Sequence, residues 1–139
     1  MRRAALIDSG PLVALLNRRD AWHEWTVEQV TSAEPPLLTC ESVLSEALFL
    51  LRKAGGGPAE IAAMLESGAL RVAVSLVDEG SQVFRILRKY ADRPASLADA
   101  CLVRMSEVFP RHHVLTLDAD FRHYRRHRNR AISVWMPDA

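Results

Sequence analysis

The chain has 139 residues, of which 49% are apolar and 25% charged, and its net charge is +1. That length suits one domain with one core, spanning 1–139. The near balance of charge excludes a general polyanion magnet, and no stretch approaches the ~18 consecutive apolar residues of a membrane span. The basic start "MRRAALIDSG" carries an apolar run of only four residues, short of the ~7–15 of a signal peptide, so a cytoplasmic protein is expected. Cys40 and Cys101 sit in apolar surroundings and are read as buried free thiols, too few for a disulfide framework or a metal cluster.

Taken in chain order, hydrophobic periodicity predicts a strand at 4–7 and helices at 11–17 and 20–32. A short strand follows near 37–39, then helices at 41–54 and 58–67, separated by the turn "AGGGP". A strand is expected at 70–74, helices at 77–91 and 96–108, and a strand at 113–117. A short helical turn around 119–126 and a last strand at 132–135 complete the chain. Strands alternating with helices predict a mainly parallel sheet covered on both faces, with ligands beyond the carboxyl ends of the strands. Asp8 follows "AALI" at one such end and Asp118 follows "VLTL" at another.

Each acid has a structural alternative. Asp8 or Ser9 can cap the helix that Pro11 begins. Glu46 falls about 60° from Val43 at the helical repeat, on the flank of an apolar stripe through Val43, Ala47, Leu50 and Leu51. Glu41 points away and suits the helix dipole. Ser96 and Asp99 have capping-box spacing. Asp118 is read either as a turn residue or as a functional acid, whereas Asp120 is read as turn and cap.

Four segments together carry a family resemblance: "LIDSGPLVALL" with Asp8, "ESVLSEALFLL" with Glu46, "YADRPASLADACLV" with Asp99, and "VLTLDADF" with Asp118. In order, spacing and surroundings the chain resembles PIN-domain ribonucleases, specifically the VapC-type toxins of toxin–antitoxin pairs. The resemblance covers nearly the whole length. It implies a three-layer α/β fold with a central five-stranded, mainly parallel sheet flanked by helices, and the four acids gathered at its carboxyl edge. It further implies metal-dependent endoribonuclease activity, an RNA substrate, a cognate VapB-like antitoxin and a homodimer, with no membrane partner.

The residue chemistry agrees with that implication. Carboxylates are hard ligands suited to Mg2+, or Mn2+ as the alternative, whereas Zn2+ prefers His or Cys. Asp8 and Asp99 are the expected direct ligands, and Glu46 and Asp118 are expected to bind directly or through water. His123 and His127 have i,i+4 spacing and His112 and His113 are adjacent, but no third ligand shares their motif; they are read as surface or RNA-contacting groups. The segment "RHYRRHRNR" (122–130) holds five arginines and no acid. Arg122, Arg125, Arg126 and Arg128 are the RNA-contact candidates, since guanidinium forks onto phosphate. Codon usage of a GC-rich genome explains the arginine bias equally well. Trp22 and Trp25, at i,i+3 spacing, are read either as an interface pair or as core.

Three alternatives remain open at this stage. A PIN-domain RNA-processing nuclease outside a toxin pair would share every residue named. An aspartate-based phosphotransferase of the dehalogenase type wants a second acid two residues after Asp8, where Gly10 stands, and a receiver needs a placed lysine, with only Lys53 and Lys89 in the chain. A non-catalytic module of the same fold needs none of the acids.

Overall fold

The computed structural model describes residues 2–138. The elements are β1 (Arg3–Ile7), α1 (Ser9–Leu16), α2 (His23–Ser32), β2 (Ala33–Thr39), α3 (Glu41–Leu51), α4 (Pro58–Ser67), β3 (Leu70–Val72), α5 (Leu76–Lys89), α6 (Leu97–Val108) and β4 (His113–Leu115). A 3-10 turn (Ala119–Arg122), β5 (Arg125–Arg126), β6 (Arg130–Ala131) and β7 (Val134–Trp135) complete the chain.

Five strands form one sheet in the order β3-β2-β1-β4-β7, and every pairing is parallel. Six helices flank it, as the expected fold class requires. β1 is central. It pairs with β4 from Ala5 opposite His113 to Ile7 opposite Leu115, and Ala5, Leu6 and Ile7 are fully buried. A strand covered on both faces needs a continuous apolar run rather than alternation, which is why "AALI" is uninterrupted. Leu6, Ile7, Leu38, Leu102, Met105 and Leu115 lie at the heart of the core. Because all five strands run the same way, their carboxyl ends share one edge, where β1 gives way to Asp8 and β4 to Thr116–Asp118.

Several boundaries differ from expectation for local reasons. α1 begins at Ser9 because Asp8 already serves as its N-cap. α2 begins only at His23, after a turn in which Asp20 Oδ1 accepts from Trp22 N–H. β2 reaches back to Ala33 through a cis Pro35–Pro36 bond, and its register against β1 shifts between Ala4 and Leu6; proline has no N–H to give a ladder. The expected helical turn over 119–126 is two structures. The 3-10 turn buries Phe121, and the arginines beyond it form the antiparallel β5–β6 hairpin. His127 and Arg128 turn this hairpin with positive φ of 47° and 75°, a geometry usually announced by glycine or asparagine. Leu50 leaves the apolar stripe of α3 and is 55% exposed, while Val43, Ala47 and Leu51 are buried. Cys40 and Cys101 are buried and unbridged, as expected. No described helix is long and apolar enough to cross a membrane.

Candidate active site

Asp8, Glu46, Asp99 and Asp118 line one open cleft of about 340 Å3, together with Ser9, Gly10, Ser96 and Leu117. They come from four separate segments: the end of β1, the middle of α3, the first turn of α6 and the loop after β4. Only the parallel sheet brings them together.

The capping alternatives and the functional ones turn out to be compatible. Asp8 caps α1 by accepting from Ser9 N–H through Oδ1 at 2.7 Å. Asp99 completes a capping box: Oδ2 accepts from Ser96 N–H at 3.0 Å while Asp99 N–H donates to Ser96 Oγ at 3.0 Å. Asp118 caps the 3-10 turn by accepting from Asp120 N–H through Oδ1 at 2.9 Å. In each case the cap fixes the carboxylate; Asp99 and Asp118 keep one oxygen unbonded, whereas both Asp8 oxygens accept a bond, from Ser9 N–H and Thr116 Oγ1. Asp99 Oδ1, Asp118 Oδ2 and Glu46 Oε1 accept no hydrogen bond among the described residues. Asp120 is exposed and stays a turn residue, and Glu41 is exposed away from the cleft.

Three hydroxyls hold the acids in place. Thr116, fully buried, donates through Oγ1 to Asp8 Oδ2 at 2.7 Å and accepts from Asp118 N–H at 3.0 Å, so one side chain ties two acids together. Ser9 Oγ donates to Glu46 Oε2 at 3.0 Å. Tyr124 OH donates to Asp99 Oδ2 at 3.2 Å. Sequence reasoning missed all three roles. Ser9 was visible only as a rival cap, Thr116 looked like a strand residue, and Tyr124 was hidden within the arginine run.

Electrostatics record the crowding. Asp8 is 5% exposed, and burial pushes its carboxyl up to about 6 against the bonds from Thr116 and Ser9, with the charges of Asp99 and Glu46 adding to the rise. Asp99 is also raised, first by burial and then by Asp118 and Glu46. Burial and the neighbouring Asp99 raise the Tyr124 phenol, which therefore stays a donor. A site that disfavours its own negative charge is one that a cation would relieve.

The donor set fits a hard divalent ion. It is all oxygen, and among the described residues no three Asp, Glu, His or Cys side chains are already drawn together into a cage. Mg2+ keeps several waters and binds through one or two carboxylates, which this open arrangement allows. Among the described residues no histidine lines the cleft. His113 bonds Ser133, and His112 packs against Phe109. The position two residues after Asp8 is Gly10, and among the described residues no lysine lines the cleft. Lys89 bonds the Arg128 carbonyl, and Lys53 lines a separate hollow beside Leu16 and Leu50. The phosphotransferase alternatives therefore lack their second acid and their lysine.

The arginine candidates divide. Arg126 turns inward: its Nη1 donates to Ser106 C=O at 2.8 Å, on the last turn of α6. That bond joins the β5–β6 hairpin to the last turn of α6, where helix carbonyls lack partners of their own. Arg122 and Arg128 are exposed, and Arg125 is half-buried with its guanidinium held by the Arg122 and Tyr124 carbonyls. The tryptophans divide too. Trp22 is 42% exposed, whereas Trp25 packs against the core, and the two meet edge to face at 6.3 Å.

Comparison with known proteins gives concordant matches. The family model for the PIN domain matches residues 5–127. Ribonuclease VapC26 of Mycobacterium tuberculosis (strain ATCC 25618 / H37Rv) is 30% identical over 115 residues, covering 81% of this chain and 85% of that protein. The crystal structure of Mycobacterium tuberculosis VapC20, described as a sarcin-ricin loop cleaving toxin, superposes with a TM-score of 0.74 at 25% identity, covering 84% of this chain and 92% of that one.

Proposed function

The chain belongs to the PIN-domain family, and from that premise we propose that it is a VapC-type endoribonuclease, the toxin of a toxin–antitoxin pair, cutting RNA with Mg2+ or Mn2+ at the four-carboxylate cleft. The observation that carries this reading is the convergence of Asp8, Glu46, Asp99 and Asp118 on one cleft from four segments. The alternative of a non-catalytic module leaves unexplained why buried hydroxyls and caps hold these acids in mutual repulsion.

Asp8 and Asp99 are the groups that would hold the ion. Both are fixed by caps, and burial raises both carboxyls, a shift that a nearby cation would offset. When bound, the ion supplies Lewis acidity and charge neutralisation at the scissile phosphate. Glu46 Oε1 and Asp118 Oδ2 accept hydrogen bonds from water and orient the attacking one toward phosphorus. Thr116 keeps Asp8 and the Asp118 backbone in register during the step. No nucleophilic Ser, Cys or His is needed. Arg122, exposed at the end of the 3-10 turn that Asp118 caps, contacts RNA phosphate at the cleft.

The test is cleavage of RNA by purified chain. Activity should depend on added Mg2+ or Mn2+ and disappear in Asp8→Asn and Asp99→Asn proteins that still fold. Metal-independent cleavage, or full activity in both variants, would remove the reading. The toxin branch adds a cognate VapB-like antitoxin and a homodimer, with Trp22 as the exposed aromatic contact. Sedimentation showing only monomer across micromolar concentrations would remove the dimer. A short upstream reading frame for a DNA-binding antitoxin would separate the toxin from a processing nuclease of the same family.

A further inference from the structure

A second concave surface, a groove of about 540 Å3, lies between α5, α6 and the β5–β6 hairpin, and its lining is positive. Gln82, Arg85, Ile86 and Lys89 form one wall, since i, i+3, i+4 and i+7 share a helix face. Arg125, His127 and Arg128 form the other. At the base, Arg104 pairs with Glu79 at 2.7 Å and Glu107 at 3.1 Å. Glu107 also accepts from His127 N–H at 2.6 Å, which pins the hairpin to α6. That joint consumes the groove's one acid. Arg85, Arg125 and Arg128 have no acidic partner among the described residues.

Two further features give this charge a purpose. The hairpin turns on His127 and Arg128 at positive φ, where glycine or asparagine would be the unstrained choice. Basic side chains stand there at a conformational cost, and Lys89 Nζ secures the turn through the Arg128 carbonyl at 2.7 Å. The groove also adjoins the catalytic cleft. Tyr124 donates to Asp99, and the next residue, Arg125, donates its N–H to Tyr90 OH at 2.8 Å. Tyr90 and Tyr124 stack edge to face at 5.0 Å between the two sites.

Resting on the endoribonuclease reading above, we propose that this groove is a second RNA site that holds backbone phosphates of the substrate strand beyond the cut. Guanidinium forks suit phosphate. Apart from His127, the groove offers no ring on which a base could stack. It therefore supplies affinity without sequence preference, and the choice of cut is left to the cleft.

The experiment uses the full chain and the double variant R85A/R128A. Binding of a long RNA is measured in EDTA across a salt series. Cleavage in Mg2+ is measured on that RNA and on a short oligonucleotide trimmed to its mapped cut. The double variant should lose about tenfold or more in affinity and KM on the long RNA, with kcat unchanged. Its log–log salt slope should shrink by about 1.4, at ~0.7 per contact for a single strand. The short substrate should be cut as by the parent, and R85K/R128K should restore most of the loss. Should the double variant fail to fold, Arg85→Ala alone, on an exposed helix face, should shrink the slope by about 0.7. Unchanged affinity and slope in a parent that cleaves would overturn the groove alone. A parent that neither binds nor cuts RNA would overturn the endoribonuclease reading and the groove with it. Loss of binding to a polyglutamate probe with RNA binding intact would assign the groove to an acidic protein partner and overturn the proposal.

Discussion

The four-carboxylate cleft and the arginine groove adjoin each other but are built on opposite principles. The cleft's acids sit on the edges of rigid elements, capped and hydrogen-bonded, with Asp8 almost wholly buried. The groove's cations sit on an exposed helix face and a hairpin with two residues in each strand. Chemistry needs atoms held to within a fraction of an ångström, and the burial that accompanies this at Asp8 and Asp99 raises their carboxyls against the hydrogen bonds that fix them. Phosphate binding tolerates long mobile side chains, because its energy is set by charge and salt more than by geometry. Damage in the cleft should therefore appear in kcat, and damage in the groove in affinity.

The largest effect is expected from Asp8→Asn and Asp99→Asn. Either should lower single-turnover cleavage at saturating Mg2+ by at least about 100-fold, with RNA affinity in EDTA unchanged or improved. Thermal unfolding without metal should show a fold as stable as the parent or more so, since one repelling charge is gone. A destabilised but active Asp99→Asn protein would reduce that residue to a helix cap and break the contrast.

Next comes pH. The folded carboxyl of Asp8 is raised to about 6 from the 3.8 of an exposed aspartate. The metal-free fold thus binds the proton more tightly than the unfolded chain. The stability this adds is fully present below pH 3.8 and is lost as pH rises through about 6, an effect of the order of 2–3 kcal/mol. Mg2+ affinity should move the opposite way, falling as pH drops through about 6, because only the ionised carboxylate binds. Asp8→Asn should flatten both curves, and calorimetric titration with metal against pH measures them together.

Thr116→Val should have an intermediate effect. It keeps shape but removes the hydroxyl between Asp8 and Asp118, so cleavage should fall about 10- to 100-fold. Loss of the bond that lowers the Asp8 pKa should displace the pH–activity profile upward. An unmoved profile with lower activity would make Thr116 a packing residue only.

Glu41→Gln gives the smallest expected effect. This exposed residue in the first turn of α3 faces away from both sites, and its variant should cleave as the parent does, within about twofold on the surface-substitution scale of ±0.5 kcal/mol. A large loss would mean that the cleft extends along α3 beyond Glu46.

The uneven legibility of the two regions has a physical origin. An uninterrupted "AALI" followed by an acid marks a buried parallel strand with a functional edge, because strand direction and the sheet rule fix where that acid must lie. Glu46 could be placed on a flank by helical phase alone, and Ser96 with Asp99 by the spacing of a cap. The hairpin was opaque. Its turn lacks glycine, and two residues per strand give no alternation to read. Arg126 could not be told from Arg128 in a run of arginines, since only the end of α6, arriving from elsewhere in the chain, supplies the carbonyl that turns Arg126 inward. Trp22 and Trp25 have equivalent local spacing, and which is covered depends on what packs behind the helix.

The sequence by itself therefore determined the order of elements as far as β4 and the parallel sheet, matters of local periodicity and strand ends, whereas the four acids stood out only through the resemblance of their combined spacing to a family. Tertiary structure alone decided that the caps and the cleft share the same carboxylates, that Thr116 and Tyr124 hold them, and that the arginines divide between a joint and a groove. Those outcomes depend on hydrogen bonds between residues as far apart as Asp8 and Thr116. No local pattern encodes such a bond, because its partner is chosen by the closed fold.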